Sequence, residues 1–158
     1  MKVLGIDPGY DRLGLAVLEG DPSRPSLVWS TCALPPKGLP ELRLARVYEE
    51  VASALSAHAP DVLAIETLFF STNKKSALQV AEARGAILAA AGKAGVTVCE
   101  FSPAQVKLSV TGHGAADKSA IARMVPRLVS LPEKKRLDDE LDAIAVAIAG
   151  LSARLHLK

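Results

Sequence analysis

An α/β fold built around a mixed sheet is what this 158-residue sequence predicts, and three observations carry that expectation. Two short apolar runs, Val3-Leu4-Gly5-Ile6-Asp7 and Val62-Leu63-Ala64-Ile65-Glu66, read as strands buried on both faces, each ending on a carboxylate. Two further strand-like segments follow the first run after short turns, the pattern of an antiparallel meander. The second run is reached through a long amphipathic segment, and a strand reached through a helix is expected to lie parallel to an earlier one.

Taken in order, Pro8-Gly9 ends the first strand where Asp7 emerges, and Tyr10-Asp11-Arg12 makes a polar turn. Leu13 to Leu18 is the second strand, with Gly14 inside it, and Ser26 to Cys32 is the third. Pro35, Pro36, Gly38 and Pro40 mark a loop. A helix is predicted from about Glu41 to Ala57, because Leu44, Val47, Val51 and Leu55 recur at spacings of three and four. Ala59-Pro60 ends it, and the strand closing on Glu66 follows.

Thr67 to Lys74 reads as a loop carrying two adjacent aromatics, Phe69 and Phe70. The next helix, Lys75 to Ala91, carries two apolar stripes: Leu78, Ala81, Gly85 and Leu88, then Ala77, Val80, Ile87 and Ala91 with Arg84 among them. It is expected to be covered on more than one side, either by its own sheet and a neighbouring helix or by a second subunit. Val96 to Phe101 is the last strand. Ser102-Pro103-Ala104-Gln105 is a capping box that opens a short helix. The Thr111-Gly112-His113-Gly114 loop leads to a helix beginning near Ala116 with Ile121, Met124, Val125 and Leu128 on its apolar side, which Pro126 is expected to kink or end. After a basic connector, Ser130 to Arg136, a last helix starts near Asp138, buries Leu141, Ile144, Ala145 and Ile148, and ends at Gly150.

The totals narrow the function classes. The length suits one domain, residues 1–158, with a real core, and 49% of the residues are hydrophobic. No apolar run is long enough to cross a bilayer, so no membrane partner is expected. Met1-Lys2 runs straight into a strand, without a secretory signal. Cys32 and Cys99 fit reduced core residues of a cytosolic protein. The formal charge of +2 is too small to imply nucleic acid by itself.

Four carboxylates, Asp7, Glu66, Asp139 and Asp142, stand on three elements beside apolar sequence. Each has a plainer account alone: Asp7 as a turn former, Glu66 as a strand-end charge, and Asp139 and Asp142 as complements to a helix N-terminus. Together, the matching strand ends favour a site. Gathered carboxylates repel, and a bound cation offsets that repulsion. Oxygen-only ligands suit Mg²⁺ or Mn²⁺. Two such ions about 4 Å apart activate water and stabilise the leaving oxygen of a phosphodiester. Lys74, Lys75, Lys107, Lys118, Arg123 and Arg127 follow the acidic strand ends and suit a polyanion, although Arg123 and Arg127 read better as solvated helix charges. An exposed Phe69 or Phe70 would stack on or wedge between bases, where the plainer account packs it into the core. His113 reads as a surface loop residue.

At these residues the chain resembles the RuvC family of Holliday-junction resolvases. The matching stretches are Gly5-Ile6-Asp7-Pro8-Gly9, Ala64-Ile65-Glu66, Asn73 with Ser76-Ala77-Leu78, Ala83-Arg84-Gly85, Gln105-Val106-Lys107, Asp117-Lys118-Ser119, and Asp139 through Asp142-Ala143-Ile144-Ala145. The resemblance implies an RNase H-like fold, a five-stranded mixed sheet with helices on both faces. It implies a homodimer that nicks two opposed strands of four-way junction DNA in recombination and repair, leaving 5′-phosphate and 3′-hydroxyl ends. Asp7, Glu66, Asp139 and Asp142 would hold Mg²⁺, with Mn²⁺ able to substitute and two ions per site. Lys107 and Lys118 would act at the scissile phosphate, and Phe69 on bases near the crossover. Phe70, Asn73, Lys74, Lys75 and Ser76 complete the expected DNA contacts. The two-faced helix matches the family's dimerisation helix. Coupling to a branch-migration helicase of the RuvA and RuvB type, and a cytoplasmic location, follow from the same resemblance. The alternatives are a related nuclease acting on RNA or other branched DNA, and a non-catalytic junction binder, against which the complete carboxylate set argues.

The chain departs from the family pattern at four places. Tyr10 stands where a small residue is usual and is expected to narrow the site mouth. Phe70 doubles the aromatic, Lys74-Lys75 makes its loop more basic, and Pro126 interrupts a helix that should be continuous.

Overall fold

The computed structural model describes residues 1–67 and 74–153, with the backbone alone for residues 74–76. Five strands and five helices follow one another as β1 (Lys2–Asp7), β2 (Leu13–Asp21), β3 (Arg24–Ala33), α1 (Pro40–His58), β4 (Val62–Glu66), α2 (Lys74–Ala94), β5 (Thr97–Phe101), α3 (Pro103–Thr111), α4 (Lys118–Leu128) and α5 (Asp138–Ala153). The sheet order is β3-β2-β1-β4-β5. The first three strands pair antiparallel, while β4 runs parallel to β1 and β5 parallel to β4, as the meander and the helical crossover predict.

Strand side chains alternate between two faces, and each face has its own core. Leu4, Ile6, Leu13, Leu15, Val17, Leu63 and Ile65 pack with Val47, Val51 and Ile87 of α1 and α2. Val3, Ala16, Leu18 and Ala64 pack with α3, α4 and α5. The α5 layer lies unusually close to the sheet because facing residues are small. A side chain on Gly5 would overlap the Ala143 carbonyl oxygen and the Ala147 amide, and one on Gly14 would overlap the Asp139 carbonyl oxygen. Gly150 of α5 likewise seats against Val3 and Ala64. Successive α5 positions 139, 143 and 147 are four apart, so they form one row along the sheet.

Several expectations are corrected. Pro126 does not end α4, which continues to Leu128. A proline two residues before a helix end removes only one late hydrogen bond, and here the Val129 amide still donates to the Val125 carbonyl. Leu128, placed on the apolar side by spacing, is exposed. The last helix runs past Gly150 to Ala153 because that glycine serves close contact with the sheet rather than helix termination. Neither cysteine is fully buried. The sharpest difference concerns α2. Ala77, Arg84, Ile87 and Ala91 are buried as one stripe, but in the other Leu78 is 62% exposed and nothing lies within 4 Å of a side chain built on Gly85. The chain's own fold covers one face of this helix and leaves the other open. Among the described residues, no helix is long and apolar enough to cross a membrane.

Candidate active site

Asp7 and Glu66 close adjacent parallel strands. The β1–β4 register pairs Gly5 with Ala64 and Ile6 with Ile65, so one further step sets the two carboxylates side by side. Both fall on the Val3/Gly5 and Ala64 side of their strands, the side that α5 covers. The first turn of α5 supplies Asp139 and Asp142. Contact at Gly14, the β2 partner of Asp7, brings that turn over the strand end.

Two more helices close the site. Ser102 caps α3 reciprocally with Gln105, its Oγ accepting from the Gln105 amide at 3.2 Å while its own amide donates to Gln105 Oε1 at 2.7 Å. That start sets Lys107 one turn in. Asp117 caps α4 by accepting from the Ala120 amide at 2.7 Å, which puts Lys118 at the first helical position, two residues later than the start near Ala116 that the sequence predicts. Glu66, Lys107, Lys118 and Asp142 rim a cleft of about 250 Å³ floored by Val106, Ile121, Ala145 and Val146. The six residues expected to carry chemistry thus come from β1, β4, α3, α4 and α5 to one end of the sheet.

Charge confirms their proximity. The Asp7 carboxyl is pushed up to about 7, first by burial and then by Asp142, Glu66 and Asp139, with Lys118 opposing. Burial and Asp142 push Glu66 up as well, against Lys107 and Lys118. Lys118 Nζ donates to Asp142 Oδ2 at 3.0 Å, and that bond raises the Lys118 pKa. Arg12 Nη1 lies 3.4 Å from Asp139 Oδ2. Among the described residues, no three acidic, His or Cys side chains already converge as a cation cage, and Asp139 and Asp142 each face a basic partner. The donor set nevertheless suits a hard divalent cation: it is all oxygen, and it centres on a half-buried carboxylate that its neighbours make costly to ionise.

The remaining expectations divide. Phe69, Phe70 and Asn73 lie outside the described residues, as do the side chains of Lys74, Lys75 and Ser76. Arg123 and Arg127 are exposed on α4, and Arg123 bonds Ser119. His113 is an exposed loop residue. Tyr10 is drawn towards α1, where its ring lies 4.4 Å from the Arg43 guanidinium.

Three supporting residues escaped the sequence reading. Arg84, which spacing puts within an apolar stripe, is buried and donates to the Glu66 carbonyl at 2.6 Å while pairing with Glu100 at 2.7 Å. It fixes the β4 end that carries Glu66. Arg43 is buried, donates to the Tyr10 carbonyl at 2.8 Å and pairs with Asp11, holding the turn after Asp7. Arg12 reaches Asp139 across 127 residues of sequence. A single arginine among apolar neighbours is the signal that marks Arg43 and Arg84. Nothing local marks Arg12.

A five-stranded mixed sheet in this order, with carboxylates and lysines gathered at the β1–β4 end, defines an RNase H-like nuclease. The family model described as crossover junction endodeoxyribonuclease RuvC matches residues 3–150. The chain is 44% identical over 152 residues to the crossover junction endodeoxyribonuclease RuvC of Gloeobacter violaceus, covering 95% of this chain and 87% of that protein. Its fold matches Thermus thermophilus RuvC solved in complex with Holliday junction substrate at a TM-score of 0.91 and 34% identity, over 99% of this chain and 96% of that one. A second Thermus thermophilus RuvC structure matches at a TM-score of 0.88 and 35% identity, over 99% and 97%. The chain belongs to the RuvC family of crossover junction endodeoxyribonucleases.

Proposed function

We propose that this chain is a divalent-metal-dependent endonuclease that resolves four-way DNA junctions, acting as a homodimer that makes paired nicks. The observation that carries the reading is the convergence of Asp7, Glu66 and the α5 first turn on one half-buried, oxygen-lined end of the sheet, lined also by Lys107 and Lys118. Asp7, Glu66, Asp139 and Asp142 would hold the ions, Mg²⁺ or Mn²⁺ and two per site. Bound there, divalent cations supply Lewis-acid activation of water and counter-charge for the phosphodiester.

The chain's own groups do the rest. Asp7 and Glu66 offer fixed oxygens from two rigid strand ends. Partial burial removes competing water from them, and the neighbouring acids leave their charge only partly offset, which favours cation capture. Lys107 and Lys118 face the same cleft, where they neutralise a phosphate and orient the strand for hydrolysis to 5′-phosphate and 3′-hydroxyl ends. Lys118 would exchange Asp142 for that phosphate.

The uncovered stripe of α2, with exposed Leu78 and open space at Gly85, suits a second copy, whose site would address the opposite strand. Phe69, Phe70, Asn73, Lys74, Lys75 and Ser76 precede or begin that helix and are assigned to junction DNA. The whole sequence is read as one nuclease domain acting in the cytoplasm, and coupling to a branch-migration helicase follows from the family.

A junction-cleavage assay with and without Mg²⁺ or Mn²⁺, with each strand's cut mapped, tests the reading. Symmetric nicks that vanish with chelator are expected. Absence of cutting with either ion, or equal cutting of linear duplex, would overturn it.

A further inference from the structure

Glu140 stands between Asp139 and Asp142 in sequence, yet it is only 4% exposed and takes no part in the proposed site. Successive helical residues turn by about 100°, so Glu140 points well away from both aspartates. Its Oε1 accepts from Ser30 Oγ at 2.5 Å, pairs with Lys134 Nζ at 2.7 Å and lies 3.3 Å from Arg136 Nε. Lys134 Nζ also donates to the Ser30 carbonyl at 3.1 Å, and Arg136 Nη1 donates to the Pro132 carbonyl at 2.8 Å. One carboxylate oxygen therefore ties α5 to β3 and to the α4–α5 connector.

This arrangement has a directional consequence. A buried carboxylate stripped of its partners is far more costly than a surface one. Rotation of the α5 first turn would separate Glu140 from Ser30 and both cations at once. On the other side of that turn the backbone of Asp139 rests on Gly14, which fixes its distance from the sheet, while the Asp139 and Asp142 side chains pair with the exposed side chains of Arg12 and Lys118.

We propose that Glu140 is a positioning residue: clamped by Ser30, Lys134 and Arg136, it sets the rotation of the α5 first turn and so aims Asp139 and Asp142 at Asp7. The inference rests on the reading of those aspartates as cation ligands. It predicts that weakening the clamp loosens cation capture before it disturbs the fold or the grip on DNA.

The test compares wild type with Glu140→Gln and Ser30→Ala, since Glu140→Ala risks misfolding. Mn²⁺ affinity is measured by titration calorimetry without DNA, alongside thermal unfolding, junction affinity in Ca²⁺, and cleavage rate against Mg²⁺ concentration. Both variants should stay folded and bind junctions within about two-fold of wild type. They should bind Mn²⁺ about five-fold or more weakly and need correspondingly more Mg²⁺ for half-maximal cleavage, with high Mn²⁺ restoring much of the rate. Unchanged Mn²⁺ affinity in both variants overturns the proposal, as does a wild type that binds no Mn²⁺. If wild type binds Mn²⁺ but cuts no junction, the nuclease reading fails while the calorimetric comparison still decides the role of Glu140.

Discussion

The carbonyl oxygen of Asp139 rests where a side chain on Gly14 would begin. Gly14 is also the β2 partner of Asp7. A residue without a Cβ thus sits between a strand-end carboxylate and the helix turn that completes the site, and the separation of the two is set by what Gly14 lacks.

Gly14→Ala should push the α5 first turn off the sheet. Overpacking at such a contact costs about 1–3 kcal/mol, so the unfolding midpoint should fall by several degrees. Cleavage should fall far more, by about a hundred-fold, because small misplacement of catalytic groups is expensive. Unfolding and cleavage measured on the same preparation check this; a variant that loses stability but cuts at the wild-type rate would separate Gly14 from the site.

Asp7→Asn should abolish cleavage while junction binding persists. It should also change how stability depends on pH. The folded-state pKa of Asp7, about 7, lies above its ordinary 3.8. The stability tied to its protonated form is complete below about pH 4 and is lost as pH rises through 7. In chelator, wild type should therefore weaken relative to Asp7→Asn between pH 5 and pH 8, by roughly a few kcal/mol. Urea unfolding at the two pH values measures the difference, and equal pH dependence of both proteins would contradict it.

Lys118→Met should have opposed effects on two observables. Lys118 competes with any cation for Asp142, and its bond there keeps it protonated. An exposed pair of this kind is worth about 0.2–1 kcal/mol, so the variant should bind Mn²⁺ up to about five-fold more tightly. Under the proposed role of Lys118 at the phosphate, it should nonetheless cleave at least about ten-fold more slowly. Weaker metal binding in the variant would show that Lys118 supports the ion site rather than competing for it.

Charges on the open face of α2 should break the pair of sites. Leu78→Glu combined with Leu88→Glu should give a monomer by light scattering at micromolar concentration, and scattered single nicks should replace paired ones. A wild type that is monomeric with and without junction DNA would remove this face from the mechanism.

What could be read from the chain depended on whether partners were local. The strand ends at Asp7 and Glu66 announced themselves through apolar runs that stop on an acid. The Ser102–Gln105 capping box lies within four residues and was legible down to its hydrogen bonds. The α2 stripes were legible as a pattern, but no pattern states whether a face is covered by its own chain or another, and here one face is left open. The clamp on Glu140 was invisible because Ser30 is 110 positions away and a glutamate in the first turn of a helix has an ordinary account as a dipole complement. Arg84 was misread for a related reason: its partners are the end of one strand and the edge of another, and neither is implied by helical spacing.

The basic partners of the resting site bear on how a polyanion first arrives. Four carboxylates at the end of a sheet would ordinarily repel DNA, yet Arg12 faces Asp139, Lys118 holds Asp142, Lys107 lies close enough to Glu66 to lower its pKa, and burial with the neighbouring acids pushes the Asp7 carboxyl up to about 7. Three of the four acids are thus offset at short range by a basic side chain, and what charge remains is screened beyond a Debye length of about 8 Å. A junction diffusing towards this surface would meet an electrostatically quiet opening, and the acidity of the centre would be felt only after the strand is already seated.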